Sequence, residues 1–284
     1  MIVDSHCHLQ FNGFKNDRES VISRCVEKNL VMNVVGTQKD TSKKAVELAE
    51  QHENVYATIG LHPIHLFSTH VDEEESSFVS REEDFDEEFY SELAKSEKVI
   101  AVGECGIDLY HIPKDISRDV VLKKQQEIFL KQVRFAQKHG LPLVIHCRDA
   151  YDELIEVLGG GVGSGKREGI IHCYGGNWEQ AQKFLDLGLY LGFTGVITFP
   201  PKKTNPKPQE DLLEVITKCP LDRILVETDA PYLAPQKYRG KRCEPWMVAE
   251  VLKKIAEIRV KSEEIIKKII GENTLNLFTK LKLK

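Results

Sequence analysis

The chain has 284 residues, of which 41% are hydrophobic, 29% charged and 8% aromatic, ordinary proportions for a globular protein that folds without disulfides or a structural metal. A net charge of −5 excludes a strongly basic nucleic-acid coat, though not a local basic patch. No apolar run reaches the ~18–20 residues of a membrane span, no signal peptide is expected, and the seven cysteines, scattered without a C-x-x-C pair, suit reduced thiols in the cytoplasm or nucleus. In chain order, short β-branched runs at 1–8, 31–37, 55–61, 99–106, 141–147, 169–174, 189–195 and 224–229 predict strands. Amphipathic stretches near 17–29, 41–52, 85–96, 118–139, 149–158, 177–187, 209–218 and 245–258 predict helices between them, and a last helix is expected near 262–281. Strand then helix, repeated eight times, predicts one (β/α)8 TIM barrel spanning 1–284. An open doubly wound sheet would need a phosphate-binding glycine loop after its first strand. That strand ends instead in His6-Cys7-His8.

Two segments break the rhythm. An acidic insertion is expected near 64–98, where residues 72–92 carry eleven carboxylates against the single Arg81 and leave the rest of the chain net positive. Residues 159–166 are glycine-rich and end in a lysine. They lie between a helix and the next strand, the wrong order for a phosphate loop, so a flexible connection on the far face is expected.

Ionisable residues close the predicted strands: His6 and His8 the first, Glu104 the fourth, His146 the fifth, His172 the sixth and Asp229 the eighth. The C-terminal ends of barrel strands converge on one mouth, so these six ligand-type residues should share a pocket. Period-two alternation puts His6 and His8 on one face and turns Cys7, Cys105, Cys147 and Cys173 into the packing layer. The set suits two divalent cations: His6, His8, Glu104 and Asp229 around one, Glu104, His146 and His172 around the other, with Glu104 bridging. Two such ions activate a water and clamp an anionic oxygen, and Asp229 can accept the proton. That chemistry serves a phosphodiester and equally an amide or lactone. Arg148 and the loops after strands seven and eight bring Lys202, Lys203, Lys207, Lys237, Arg239, Lys241 and Arg242 to the same face, a cationic groove able to follow phosphates. Tyr232, Tyr238 and Trp246 are candidates for base stacking, and His62 for a phosphate or leaving-group contact.

The blocks Asp4-Ser5-His6-Cys7-His8-Leu9, Gly60-Leu61-His62-Pro63, Gly103-Glu104-Cys105-Gly106-Ile107-Asp108, Ile145-His146-Cys147-Arg148-Asp149-Ala150, Ile171-His172-Cys173-Tyr174 and Glu227-Thr228-Asp229-Ala230-Pro231-Tyr232 resemble those of the TatD family of metal-dependent deoxyribonucleases. The resemblance implies a TIM barrel, divalent metal ions (Mg, Mn or Zn) and nuclease activity, often on the 3′ ends of single-stranded DNA. It carries over the same six ligands, with Asp229 as proton acceptor. Some relatives act on damaged DNA and others hydrolyse ester bonds on transfer RNA. Cys243 stands where the family often has an asparagine. The expected protein is thus a monomeric 3′–5′ exonuclease with two divalent ions and DNA as its substrate. The alternatives are a metallohydrolase of an amide, lactone or aminoacyl-tRNA ester, and a non-catalytic scaffold, which a complete ligand set disfavours because buried unpaired carboxylates and imidazoles are costly.

Overall fold

Strands of this chain are buried on both faces, as parallel strands covered by helices must be. The computed structural model, which describes residues 2–68, 82–160 and 168–282, shows them as one parallel sheet in chain order. The strands are β1 (Ile2–Cys7), β2 (Leu30–Val35), β3 (Val55–Ile59), β4 (Val99–Asp108), β5 (Leu143–Arg148), β6 (Gly169–Ile171), β7 (Tyr190–Phe193) and β8 (Ile224–Val226). Helices α1 (Arg18–Glu27), α2 (Lys39–Gln51), α3 (Glu87–Leu93), α4 (Arg118–His139), α5 (Tyr151–Gly160), α6 (Trp178–Asp186), α7 (Lys207–Lys218) and α8 (Val248–Arg259) alternate with them, and α9 (Glu263–Leu277) follows. This is the expected (β/α)8 barrel. Among the described residues no helix is long and apolar enough to cross a membrane.

The barrel closes through residues just past β8. The Asp229 N–H donates to the His6 carbonyl at 2.9 Å, and the His8 N–H donates to the Ala230 carbonyl at 2.7 Å. Beneath that seam the buried Asp4 carboxylate accepts from Thr228 twice, from the backbone N–H at 2.8 Å and from Oγ1 at 2.6 Å. The segment after β8 is therefore tied to β1 by side chain as well as backbone.

Two apolar layers surround the strands. Val3, Val31, Tyr56, Ile100, Val144, Ile170 and Leu225, from seven strands, fill the barrel interior with Leu277, Phe278 and Leu281 from the end of α9. The Tyr56 hydroxyl donates to the Lys282 carbonyl at 3.0 Å, which fastens that plug across the end opposite the strand C-termini. The larger layer lies between strands and helices and takes in Cys7, Cys105 and Cys147, as alternation predicts, but not Cys173, which lies past the end of β6 at φ 47° and lines the mouth cavity. Strict alternation alone would fail in β1. Val3 faces inward and Cys7 outward although they share parity, and a register irregularity between Asp4 and Cys7 resets the phase so that His6 faces inward. A second irregularity, between Val102 and Cys105, accompanies Glu104 in β4.

Three expectations need correction. Strands six and eight stop at Ile171 and Val226, before His172 and Asp229, because those residues leave the ladder to enter the mouth. Asp229 takes φ 64°, a left-handed conformation that aspartate tolerates better than most residues. The predicted helix at 85–96 is the shorter α3, capped by the Asp86 carboxylate, which accepts from the Phe89 N–H at 3.1 Å. Residues 69–81 of the acidic segment and 161–167 of the glycine-rich one lie outside the described residues. The acids beyond 81 are not simply solvated: Asp86 pairs with Lys39 at 2.9 Å, Glu87 with Lys138 at 2.7 Å, and Glu82 with Lys124.

Asp4→Ala leaves the Thr228 N–H and hydroxyl buried without an acceptor and loosens the seam. The expected destabilisation is about 2–4 kcal/mol, read by denaturant unfolding; a variant as stable as the parent would remove Asp4 from the closure.

Candidate metal centre

At the C-terminal mouth of the barrel lies a cavity of about 640 Å³ lined by His8, His62, Glu104, Asp108, His146, His172 and Asp229, with Phe11, Arg148 and Tyr232 at its walls. The imidazoles of His6 and His8 meet edge to face, their Nε2 atoms 3.1 Å apart. Glu104 Oε2 lies 3.4 Å from His6 Nε2 and 3.8 Å from His8 Nε2, and Asp229 Oδ1 lies 3.7 and 3.3 Å from the same atoms. The His8 Nδ1–H donates to the Val35 carbonyl at 2.8 Å, which leaves Nε2 with its lone pair toward the cluster. Buried His6 Nδ1 has no hydrogen-bond partner among the described residues. Four donor atoms facing one another at such spacings match the edges of a coordination shell with metal–ligand bonds of about 2.0–2.2 Å. The residues present therefore fit a divalent cation.

Glu104 has a second side. Its Oε1 lies 2.9 Å from His146 Nδ1 and 3.5 Å from His62 Nε2. One oxygen addresses the His6–His8 pair and the other addresses His146, the arrangement a bridging carboxylate needs. His172 falls elsewhere than expected. It stacks on His6 with ring centres 3.5 Å apart, its Nε2 is 3.6 Å from Asp229 Oδ1, and its ligand atoms group with His6 and Glu227 rather than with His146. Its Nδ1 is 2.9 Å from Glu227 Oε1, an ion-pair contact not aligned as a hydrogen bond.

Electrostatics follow from this packing. Burial alone would raise the Glu104 carboxyl, but His62, His6 and His146 hold it well below the usual range. Burial also opposes ionisation of Asp229, and His8, His172 and His6 outweigh it. Burial would lower His146, yet Asp108 and Glu104 carry it up to about 9; for His172, Glu227 and Asp229 carry it up to about 10. His62 goes the other way, to about 4, through burial and the charge of His146. The Ile64 N–H donates to His62 Nδ1 at 3.2 Å, so neutral His62 carries its proton on Nε2 and offers a hydrogen-bond donor to the cavity.

Several residues that build this site escape a reading of the sequence. Asp108, at the end of the G-E-C-G-I-D block, accepts from His146 Nε2 at 3.1 Å and from His111 Nδ1 at 2.9 Å. Glu227 sits beneath His172, and Gly192 makes room for it, since a Cβ there would lie 2.6 Å from Glu227 Oε1. From α4, Gln125 bonds the Asp108 backbone N–H and carbonyl at 2.9 Å each, and Gln132 does the same for Leu61 at 2.8 and 2.9 Å. Arg18 donates to the carbonyls of Leu9, Gln10 and Phe11 and so shapes the turn after β1. On a helix such residues look like ordinary solvated positions; only the shared G-E-C-G-I-D and E-T-D blocks hint at Asp108 and Glu227.

The predicted cationic groove divides. Arg242 is a correction: its guanidinium binds Asp17 at 2.8 and 2.7 Å, the Gly13 carbonyl at 2.7 Å and Glu244 at 3.3 Å, so its charge is spent on tying loops together. Lys237 pairs with Glu250 and Lys207 with Asp211, at 2.5 Å each. Arg148, Lys202, Lys203, Arg239 and Lys241 have no carboxylate partner among the described residues. Arg148 reaches the cavity wall, whereas Lys241 lines a separate groove of about 470 Å³ with Tyr238 and Trp246. Lys202 and Lys203 are exposed in a turn closed by a Lys202–Asn205 bridge. Cys243 is buried in the outer layer, its N–H donating to the Pro231 carbonyl at 2.9 Å.

The profile of the family described as TatD related DNase matches residues 3–279. The chain belongs to that family. Over 282 residues it is 36% identical to YabD of Bacillus subtilis (strain 168), named an uncharacterized metal-dependent hydrolase, covering 98% of this chain and 99% of the relative. It is 30% identical over 282 residues to a protein of Pantoea ananatis named 3′-5′ ssDNA/RNA exonuclease TatD, covering 97% and 98%. Among solved structures, YjjV, a TatD homologue from Escherichia coli K12, superposes with a TM-score of 0.79 at 28% identity over 98% of each chain.

Because His146 and His172 hold protons at neutral pH, a cation that takes their nitrogens must displace those protons. Metal affinity should rise as pH climbs from 6 to 9, with about two protons released near pH 7. Calorimetry in buffers of differing ionisation enthalpy reads the number; zero release would exclude both as ligands. Arg242→Ala should lower stability by about 1 kcal/mol through weakened packing and pairing, read by thermal unfolding.

Proposed function

We propose that this TatD family chain is a metal-dependent hydrolase that removes nucleotides from the 3′ end of single-stranded DNA, with Asp229 as the proton acceptor. The convergence of His6, His8, Glu104 and Asp229, donor atoms 3.1–3.8 Å apart at the open end of a barrel, carries the reading. His6, His8, Glu104 and Asp229 would hold one divalent ion, with His172 standing against that group, and Glu104 with His146 would address the second. Bound there, the ions supply an acidified water and neutralise phosphoryl charge.

The protein's own groups do the rest. Asp229, kept ionised by the histidines around it, can take a proton from the attacking water. Glu227 supports His172, which in turn stands against Asp229 Oδ1. His62 lines the cavity with its Nε2–H beside Glu104 Oε1 at 3.5 Å, from where it can donate to a phosphoryl or leaving oxygen bound there. Arg148 at the cavity wall, with Lys202, Lys203, Arg239 and Lys241 on the loops beyond it, suits a polyanionic strand, and a small neutral lactone or amide gives no reason for these cations. The name carried by the Pantoea ananatis relative supports the same substrate class.

Turnover of 3′-labelled single-stranded DNA, measured against a lactone and aminoacyl-ester panel after chelation and readdition of Mg, Mn or Zn singly, tests the reading. DNA turnover restored by metal is expected, and turnover confined to the small esters would overturn it. Asp229→Asn should cut kcat by about 10²–10⁴-fold while sparing most of the strand affinity. Equal loss of both would assign Asp229 to binding alone. Replacing Lys202 and Lys203 by alanine should flatten the log–log salt slope of strand binding by about 0.7 for each phosphate no longer neutralised.

A further inference from the structure

Tyr110 is the only aromatic residue among the exposed large hydrophobic side chains of the described residues, with 59% of its surface open to solvent. Its place is not incidental. It lies two residues past β4, the strand that carries Glu104 and Asp108 into the cavity. The Asp108 Oδ1 atom accepts from the N–H of Tyr110 at 2.9 Å and from that of His111 at 2.8 Å, an Asx-type turn that fixes the backbone under the ring. Asp108 Oδ2 takes the His111 imidazole at 2.9 Å, and that imidazole meets the Tyr110 ring edge to face at 4.9 Å. The guanidinium of Arg148 lies 3.9 Å from the Tyr110 ring centre, so its position is set by the ring and its charge has no carboxylate partner among the described residues. Arg148 and His111 both line the cavity.

An exposed tyrosine ring is thus held on a pinned turn against a cavity-lining guanidinium that has no carboxylate partner among the described residues. It is well suited to a ligand that brings a flat π-face and a negative charge a few ångströms apart, which is the description of a nucleotide within a strand. We propose that Tyr110 and Arg148 form a stacking platform for a nucleobase close to the scissile linkage, Tyr110 taking the base and Arg148 the phosphate beside it. The proposal rests on the nuclease reading and deepens it, because it specifies what the site requires of its substrate: a base, of any identity, and not only a phosphodiester. Every base offers a π-face, so the platform reads little sequence. Tyr110 touches no reacting atom and acts as a positioning residue.

The test pairs the side chain with the base. One substrate is a single-stranded dodecathymidylate; the other is the same strand with abasic tetrahydrofuran residues at its last two 3′ positions, which keeps the phosphates and removes the bases. For the metal-loaded protein, Tyr110→Ala should raise KM on the intact strand about tenfold, the range a stacked base supplies, with kcat little changed. It should leave KM on the abasic strand unaltered. Tyr110→Phe should retain the parental KM, since the ring and not the hydroxyl is used. Arg148→Ala should weaken both strands alike and flatten the salt slope of binding by about 0.7. Anisotropy on phosphorothioate-linked versions of both strands reads the same contrasts without turnover. If the parent protein binds with base dependence that Tyr110→Ala abolishes but cleaves neither strand, the platform stands and the nuclease reading falls. If the parent cleaves the intact strand and Tyr110→Ala behaves identically on both strands, by equal loss or by none, the platform is overturned and the nuclease reading survives.

Discussion

His6 and Asp229 are 223 positions apart, and a backbone hydrogen bond of 2.9 Å between them closes the barrel. Everything in the mouth depends on that seam. It sets Asp229 Oδ1 within 3.7 Å of the imidazoles of both His6 and His8, and with Asp4 gripping Thr228 it keeps the segment beyond β8 from drifting. The same seam carries the load of bringing two carboxylates and four histidines together out of bulk water. Such groups repel or desolvate one another unless counter-charges are placed with care. Here each histidine whose proton is held more tightly has a carboxylate in contact, and each carboxylate that stays ionised does so against neighbouring imidazoles.

A rigid frame suits the chemistry proposed. The site rests on strand ends and on backbone carbonyls and not on loose loops: His8 is oriented by Val35, and the loop after β1 by Arg18. Two buried glutamines of α4 hold the ends of β3 and β4 at a fixed height, which places Glu104 and Asp108. The outer residues vary in kind. Arg242 serves structure, Arg148 reaches the cavity, and Tyr110 stands in solvent on a turn pinned by Asp108.

Much of this was legible in the chain. The eight strand–helix repeats and the six ligand types at strand ends could be read directly, because hydrophobic period and residue type are local properties. Three of the cysteines that follow a ligand, Cys7, Cys105 and Cys147, were legible for the same reason, whereas Cys173 lines the mouth cavity instead of the packing layer. Less visible were the positions whose meaning is a partner far away in sequence. Gln125 and Gln132 look like any polar helix residue until the helix docks. Arg242 looks like a rim cation until Asp17 appears beside it.

By itself, the sequence determined the barrel, the family and which side chains converge at the mouth, since period-two and helical patterning dictate which faces are buried and the strand ends can converge at only one mouth. Tertiary structure alone decided how those ligands are grouped. The phase reset between Asp4 and Cys7, the stacking of His172 on His6, the two-sided reach of Glu104 and the division of the cations between structure and solvent all arise there. Each depends on distances of a few ångströms between residues remote in the chain, and no local pattern encodes such distances.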